Sequence, residues 1–384
     1  MFNKYEGFIY FHIFGILQRI MNRLILRSGH HLLAPSSKLS VLRASLYSDA
    51  FLCLDVTRNN ISKQKLLVTD PSQVKEKIKS EFQQSGVRNI FNEEINRLLY
   101  FSVTTEDMDF SRKIIVAQLQ DSLHCLDLEN LYYKLQLFFE MCHINNIPWE
   151  AIKCWNEPEV RACIMYKKRI VRTFLDLLFE NELYQELLEE FNRDPEGYSK
   201  LPGQSPLVLA AMSYYKIGCR ESLKEGLKLM NLMDPARLSR SRAVNAVSLL
   251  AFNLGEYSLA QSLLMKQRKL QVQERLKHTS FNDNLQVLVL VKTGKLQEAV
   301  RQFRLSFLPT SSVISRRVYY CVVSDLLTAV RESQDEQLYR ELMKMVLVIE
   351  KSDQVFVSNE SLEEGIMRTI DIFRPELMNN NKHK

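Results

Sequence analysis

SRAVNAVSLLAFNLG at 241–255, followed by EYSLAQSLLMKQ at 256–267, is the stretch whose reading decides the fold. The first segment is apolar almost all round, as a helix buried between neighbours must be. Gly255 closes it, where a left-handed residue is wanted and glycine has no Cβ to strain. The second segment is amphipathic. Neither helix buries its apolar surface alone, so the pair predicts a unit that stacks on further units of its kind.

Such units recur along the chain. SPLVLAAMSYYKIG (205–218) precedes ESLKEGLKLMNLM (221–233), and SFNDNLQVLVLVKTG (280–294) precedes KLQEAVRQFRLSF (295–307). Weaker copies run to both sides: LYYKLQLFFEMCHI (131–144), RIVRTFLDLLFE (169–180) with ELYQELLEEF (182–191), and RRVYYCVVSDLLTAVRE (316–332) with DEQLYRELMKMVLVIE (335–350). The breakers Asn145, Asn181, Gly218, Gly255, Gly294 and Ser333 stand 36, 37, 37, 39 and 39 residues apart. This steady spacing predicts an all-α fold, an α-solenoid of helix-turn-helix repeats, in preference to an irregular helical bundle. Eleven glycines and ten prolines are few for 384 residues, which argues against an all-β fold rich in turns.

Four segments follow. Residues 1–48 carry six Lys or Arg against the single acid Glu6, and Arg19, Arg23 and Arg27 share one side of a helix beside an apolar arc. An arginine-rich, acid-poor amphipathic start predicts a mitochondrial presequence, disordered or removed, with Met21 as an alternative start. A secretory h-region over 8–17 and a basic terminus without a targeting role are the competing readings. Residues 49–125 read as an N-terminal helical cap, 126–352 as about six degenerate repeats, and 353–384 as a helix with a disordered polar tail. No stretch reaches the ~20 apolar residues of a membrane span.

The net charge of +6 is unevenly spread. Residues 216–320 hold 18 basic and 7 acidic residues, a block of +11. Arg240 and Arg242 stand at the start of the helix holding Asn245, Lys277 precedes the helix holding Asn284, and Arg316 and Arg317 open the next. Lys167, Lys168 and Arg169 open an earlier one. Cations oppose the dipole there, by ~0.3–1 kcal/mol each, so folding alone does not favour them. A phosphate backbone would, and a solvated run compensated by neighbouring acids is the rival explanation.

The units from Asn245 and from Asn284 place Asn ten residues before the closing Gly and Ala five after it: Asn245, Gly255, Ala260 and Asn284, Gly294, Ala299. In this they resemble pentatricopeptide repeats. The order LLVTD (66–70), SVTTEDMDFSRKII (102–115) and LSRSRA (238–243) resembles the mitochondrial pentatricopeptide repeat domain-containing protein 2 family, over about residues 65–350. The resemblance implies a mitochondrial matrix protein acting in maturation or stability of mitochondrial transcripts and in respiratory-chain function, without catalysis of its own. It implies that first helices line the inner face, where Asn245 and Asn284 contact bases of single-stranded RNA. Arg240, Arg242, Lys277, Arg316 and Arg317 would then contact phosphates. RNA-processing enzymes or ribosomal components are the expected protein partners. Val171, Val208 and Val323 hold the selecting position elsewhere and cannot hydrogen-bond a base. A tetratricopeptide-like protein scaffold in mitochondria is therefore the second expectation.

Chemistry-bearing motifs are sparse. GxxxxGK[ST], HExxH and GxSxG are absent, no cofactor is expected, and the seven histidines are scattered. Seven cysteines read as free thiols, and the densest set, Cys142, His143, Cys154 and Cys163, lacks a CxxC pair and reads as buried core thiols rather than a zinc site. Tyr214, Tyr215, Phe252 and Phe281 read as core before bases, and the run Glu186, Glu189, Glu190 as a charged helix face.

Overall fold

The computed structural model describes residues 46–68, 70–87, 90–122, 128–165, 167–201, 205–232, 242–273, 280–308, 316–352 and 355–367. These residues form twenty helices and one two-stranded ladder. The expected leader falls outside them except for its last three residues. Of these, Leu46 and Tyr47 are buried, Tyr47 stacking on Phe51, and Ser48 caps the first helix.

Five helices come first: α1 (Asp49–Leu52), α2 (Leu54–Leu67), α3 (Pro71–Ser85), α4 (Asn92–Phe101) and α5 (Thr105–Ser122). Both α4 and α5 lean on α6 (Leu128–Asn145), the first helix of the stack. The short helices α7 (Pro148–Trp155) and α8 (Pro158–Ile164) complete that unit. Next come α9 (Lys168–Glu180) with α10 (Tyr184–Arg193), the short α11 (Pro195–Lys200), then α12 (Ser205–Ile217) with α13 (Arg220–Asn231). The pairs α14 (Arg242–Asn253) with α15 (Tyr257–Gln273) and α16 (Ser280–Lys292) with α17 (Leu296–Phe307) follow. Strand β1 (Arg316–Tyr319) leads into the last pair, α18 (Tyr320–Glu332) with α19 (Glu336–Lys351).

Each first helix (α6, α9, α12, α14, α16, α18) packs on its own second helix, and each after α6 packs also on the first helix before it. The fold is thus an all-α stack of helical hairpins, with neighbours in sequence as neighbours in space. Apolar residues of the first helices form the spine: Val244, Val247 and Leu250 on α14, and Leu285, Val287 and Val289 on α16, are all buried. Small residues let the helices approach. Ala260 and Ala299 are fully buried, and a Cβ on Gly226 would stand 3.2 Å from Val247 Cγ2.

The turns correct the expected breakers. Gly218, Gly255 and Gly294 have φ of 69°, 79° and 73°, as the sequence implied. In the weaker units the left-handed residue lies one position later, at Asn146 (φ 57°), Glu182 (φ 59°) and Gln334 (φ 58°), instead of Asn145, Asn181 and Ser333. The successive intervals become 36, 36, 37, 39 and 40 residues. Four of these turns close with the 6→1 hydrogen bond of a Schellman motif: Ile147 N–H to Cys142 O, Leu183 to Leu178, Glu256 to Ala251 and Lys295 to Leu290, at 2.8–3.0 Å. Asn145 is used otherwise, its amide donating to Ser102 O at 2.9 Å. Glu182→Gly is expected to raise stability by ~0.5–1 kcal/mol and Gly255→Ala to lower it by a similar ~1 kcal/mol, because only glycine occupies this backbone region without strain. Urea unfolding of the two variants checks both signs.

A second departure lies at the C-terminal end. Arg316–Tyr319, expected as the start of a helix, is extended and pairs in parallel with β2 (Val355–Ser358), Arg317 opposite Phe356 and Tyr319 opposite Ser358. Val-Phe-Val of β2 is strand-forming composition, but the residues opposite it are Arg316, Arg317 and Val318, far along the chain, so no local signal shows the pairing. The short helix α20 (Leu362–Met367) then docks on α16 and α14. Its Glu363 meets Lys216 of α12 at 2.8 Å.

Candidate nucleic-acid interface

Asn284 sits on α16, fully buried. Its amide nitrogen donates to Ser280 O at 2.6 Å and Arg317 O at 2.9 Å, and its Oδ1 accepts from Tyr319 N–H at 3.0 Å. The side chain thus bridges its own helix to strand β1. Reading a base would require opening these bonds. Asn245, the equivalent residue on α14, is 6% exposed, and its Oδ1 accepts no hydrogen bond. The two asparagines are one unit apart and share a first-helix position, yet they differ because β1 lies beside only one of them.

Two of the cations expected on phosphates, Arg242 and Arg317, are partly buried. Arg242 opens α14 and is partly buried; burial holds its guanidinium below the usual range, while Tyr47 and Tyr319 nearby pull the other way. Arg317 lies on β1 rather than at a helix start, its Nη1 3.4 Å from Glu360, with Ser280 Oγ accepting from its backbone N–H at 3.2 Å. Arg316 is on the same strand. Arg240 and Lys277 lie outside the described residues. Lys167 sits over the Tyr132 ring at 3.9 Å, and Arg169 pairs with Glu140 at 2.7 Å. Helix starts in this stack are where a chain enters between neighbours, so cations there find partners within the protein. Tyr214, Tyr215 and Phe281 are buried in the core, and Phe252 packs beside Tyr257.

A different set of cations remains exposed. Lys266 and Lys269 on α15 and Lys295 before α17 line an open groove of about 620 Å³, together with Ser258, Ser262 and Gln261. Among the described residues, no carboxylate ion-pairs with these three lysines, and Glu298 is the acid on the groove wall. Arg268, between the two α15 lysines in sequence, turns inward to Gln286 and Gln302 at 3.2 and 2.9 Å. The groove offers three ammonium groups, two hydroxyls and an amide: the donors that phosphate oxygens accept from. Nothing in the sequence marks Lys266 and Lys269, inside α15, as a site. The missing clue was Lys295, which reaches the same groove from the next unit.

Two further features escaped the sequence. Glu190, read as part of an exposed acidic run, is buried: its Oε1 accepts from Arg161 and Tyr198, each at 2.6 Å, and Arg193 lies 3.2 Å from its Oε2. His143 on α6 meets Asp176 and Glu180 on α9, an across-helix grouping invisible to any search within one helix. Cys142 and Cys154 are fully buried free thiols, and burial raises both. Among the described residues no helix is long and apolar enough to cross a membrane. No protein-family model matches the chain, and no curated protein matches it.

Proposed function

We propose that this chain is an RNA-binding repeat protein, a right-handed solenoid of pentatricopeptide-like units acting in the mitochondrial matrix on maturation or stability of mitochondrial transcripts, without catalysis of its own. The observation that supports this reading best is the groove of Lys266, Lys269 and Lys295, whose charges are uncommitted while most cations around them are paired. On this reading phosphates run past the groove between second helices α15 and α17 as well as past the first-helix starts. Asn245, with its unpartnered Oδ1, remains the better candidate for base contact of the two asparagines.

The test is fluorescence anisotropy of single-stranded RNA on the full chain over a salt series. Each phosphate contact on a single strand contributes ~0.7 to the salt slope, so K266A/K269A/K295A is expected to lower the slope by roughly 2 and weaken binding roughly 10-fold or more. Crosslinking in cells followed by sequencing would name the transcripts. An unchanged slope would remove the groove from the RNA path; no RNA binding by the wild type would end the reading.

The scaffold alternative draws on one observation: the chain's own helix 362–367 lies against α14 and α16, so first helices here already serve as a docking surface for peptide. It expects a protein ligand recovered without RNA and no salt-dependent oligonucleotide binding.

A further inference from the structure

The grouping of His143, Asp176 and Glu180 has no place in an RNA-binding account. Asp176 and Glu180 are four residues apart on α9, which sets both carboxylates on one helix face. His143 comes from the last turn of α6, the neighbouring first helix. Its Nε2 stands 3.1 Å from Asp176 Oδ2 and 3.8 Å from Glu180 Oε2, and one ligand atom from each residue fits within a 4.8 Å set. A tetrahedral ion with bonds of ~2.0–2.1 Å has ligand-to-ligand edges of about 3.3–3.4 Å, so the two measured separations bracket a coordination edge.

Asp176 is fully buried, and its second oxygen, Oδ1, accepts no hydrogen bond. A carboxylate placed that way normally protonates or finds a cation. Arg172, one turn back on α9, does not fill the role: its Nη1 donates to Phe51 O at 3.0 Å and its guanidinium lies over the Phe51 ring. Thr173, on the same side of α9, is also buried with an unpartnered hydroxyl. An imidazole with two carboxylates suits a borderline divalent ion better than Ca²⁺ or Mg²⁺, which prefer all-oxygen shells.

We propose that His143, Asp176 and Glu180 bind one divalent transition-metal ion, best matched by Zn²⁺, which ties the first two hairpins of the stack together through α6 and α9. Glu180 is the most accessible of the three, its side chain 11% exposed, so the ion enters from the C-terminal end of α9.

The experiment titrates Co²⁺, a spectroscopic stand-in for Zn²⁺, into the chelator-stripped full chain while visible absorption and thermal midpoint are recorded. One ion per chain is expected, with ligand-field bands of nitrogen and oxygen coordination, a raised midpoint, and displacement by Zn²⁺. Asp176→Asn and His143→Gln should each weaken binding more than about 10-fold, a lower bound taken from the loss seen for outer-shell partners. If either variant fails to fold by circular dichroism, Glu180→Gln, at the least buried ligand, carries the same expectation. A thiolate charge-transfer band would assign the ion to cysteines and overturn the proposal. So would binding unchanged in Glu180→Gln, or no saturable binding by the wild type, which would leave a buried hydrogen-bonded set only.

Discussion

Glu190→Ala is expected to destabilise the chain by ~3–5 kcal/mol, the range for removing one member of a buried ion pair. The cost comes from what stays behind. Arg161, only 22% exposed at its side chain, loses its 2.6 Å partner, and the buried Tyr198 hydroxyl loses its acceptor. Burial, reinforced by Glu190, raises the Tyr198 phenol, so that hydroxyl stays a donor in search of an acceptor. Arg193 is half exposed and contributes little. Glu189→Ala is the internal control: this neighbour is exposed, and its removal should move stability by less than about 0.5 kcal/mol. Urea denaturation measures both; the midpoint should shift for Glu190→Ala with the slope unchanged. Equal effects for the two variants would show that the Arg161–Glu190–Tyr198 contact does not hold α10 against its neighbours.

The second large effect is at Asn284. Asn284→Ala removes three hydrogen bonds at once and leaves the buried Tyr319 N–H without an acceptor. An unsatisfied buried backbone group costs about 1–3 kcal/mol, and the side-chain cavity adds to it, so a loss of ~2–4 kcal/mol is expected. Because Asn284 pins β1 to α16, the β1–β2 ladder should loosen first. Hydrogen exchange should speed up at Val318, Tyr319 and Val357 while α12 and α13 keep their protection. Asn245→Ala makes the contrast. Its Oδ1 has no partner to lose, so stability should change by less than ~1 kcal/mol. A drop in RNA affinity in Asn245→Ala without a drop in stability would mark it as the base-contacting residue. If Asn284→Ala left both stability and exchange unchanged, the pinning role would be wrong.

These two residues show how legibility divides. Glu190 and Glu189 are adjacent and chemically identical, and only helix phase within the packed stack separates the buried one from the exposed one. Asn245 and Asn284 occupy the same place in two similar repeats, and a strand formed by residues 32 or more positions further on distinguishes them. The basic residues tell the same story. Arg242 and Arg317 were prominent in sequence because they stood at apparent helix starts, and the fold uses them internally. Lys266, Lys269 and Lys295 looked ordinary, and they meet in one groove because α15 and α17 belong to successive units.

Local physical chemistry was enough for everything that repeats. Apolar faces with helical spacing, closed by glycine at 218, 255 and 294, fix helix, turn and helix within each unit, since backbone conformation and amphipathic burial act over a few residues. The near-constant interval then makes stacking the only economical way to bury those faces. What the tertiary structure decided is everything that breaks the repeat: the ladder between 316–319 and 355–358, the burial of Asn284, the cross-helix meeting of His143 with Asp176 and Glu180, and which lysines stay uncommitted. Each depends on contacts between residues distant in the chain, and a side chain's neighbours across helices follow from the packing of the whole stack, which no local pattern encodes.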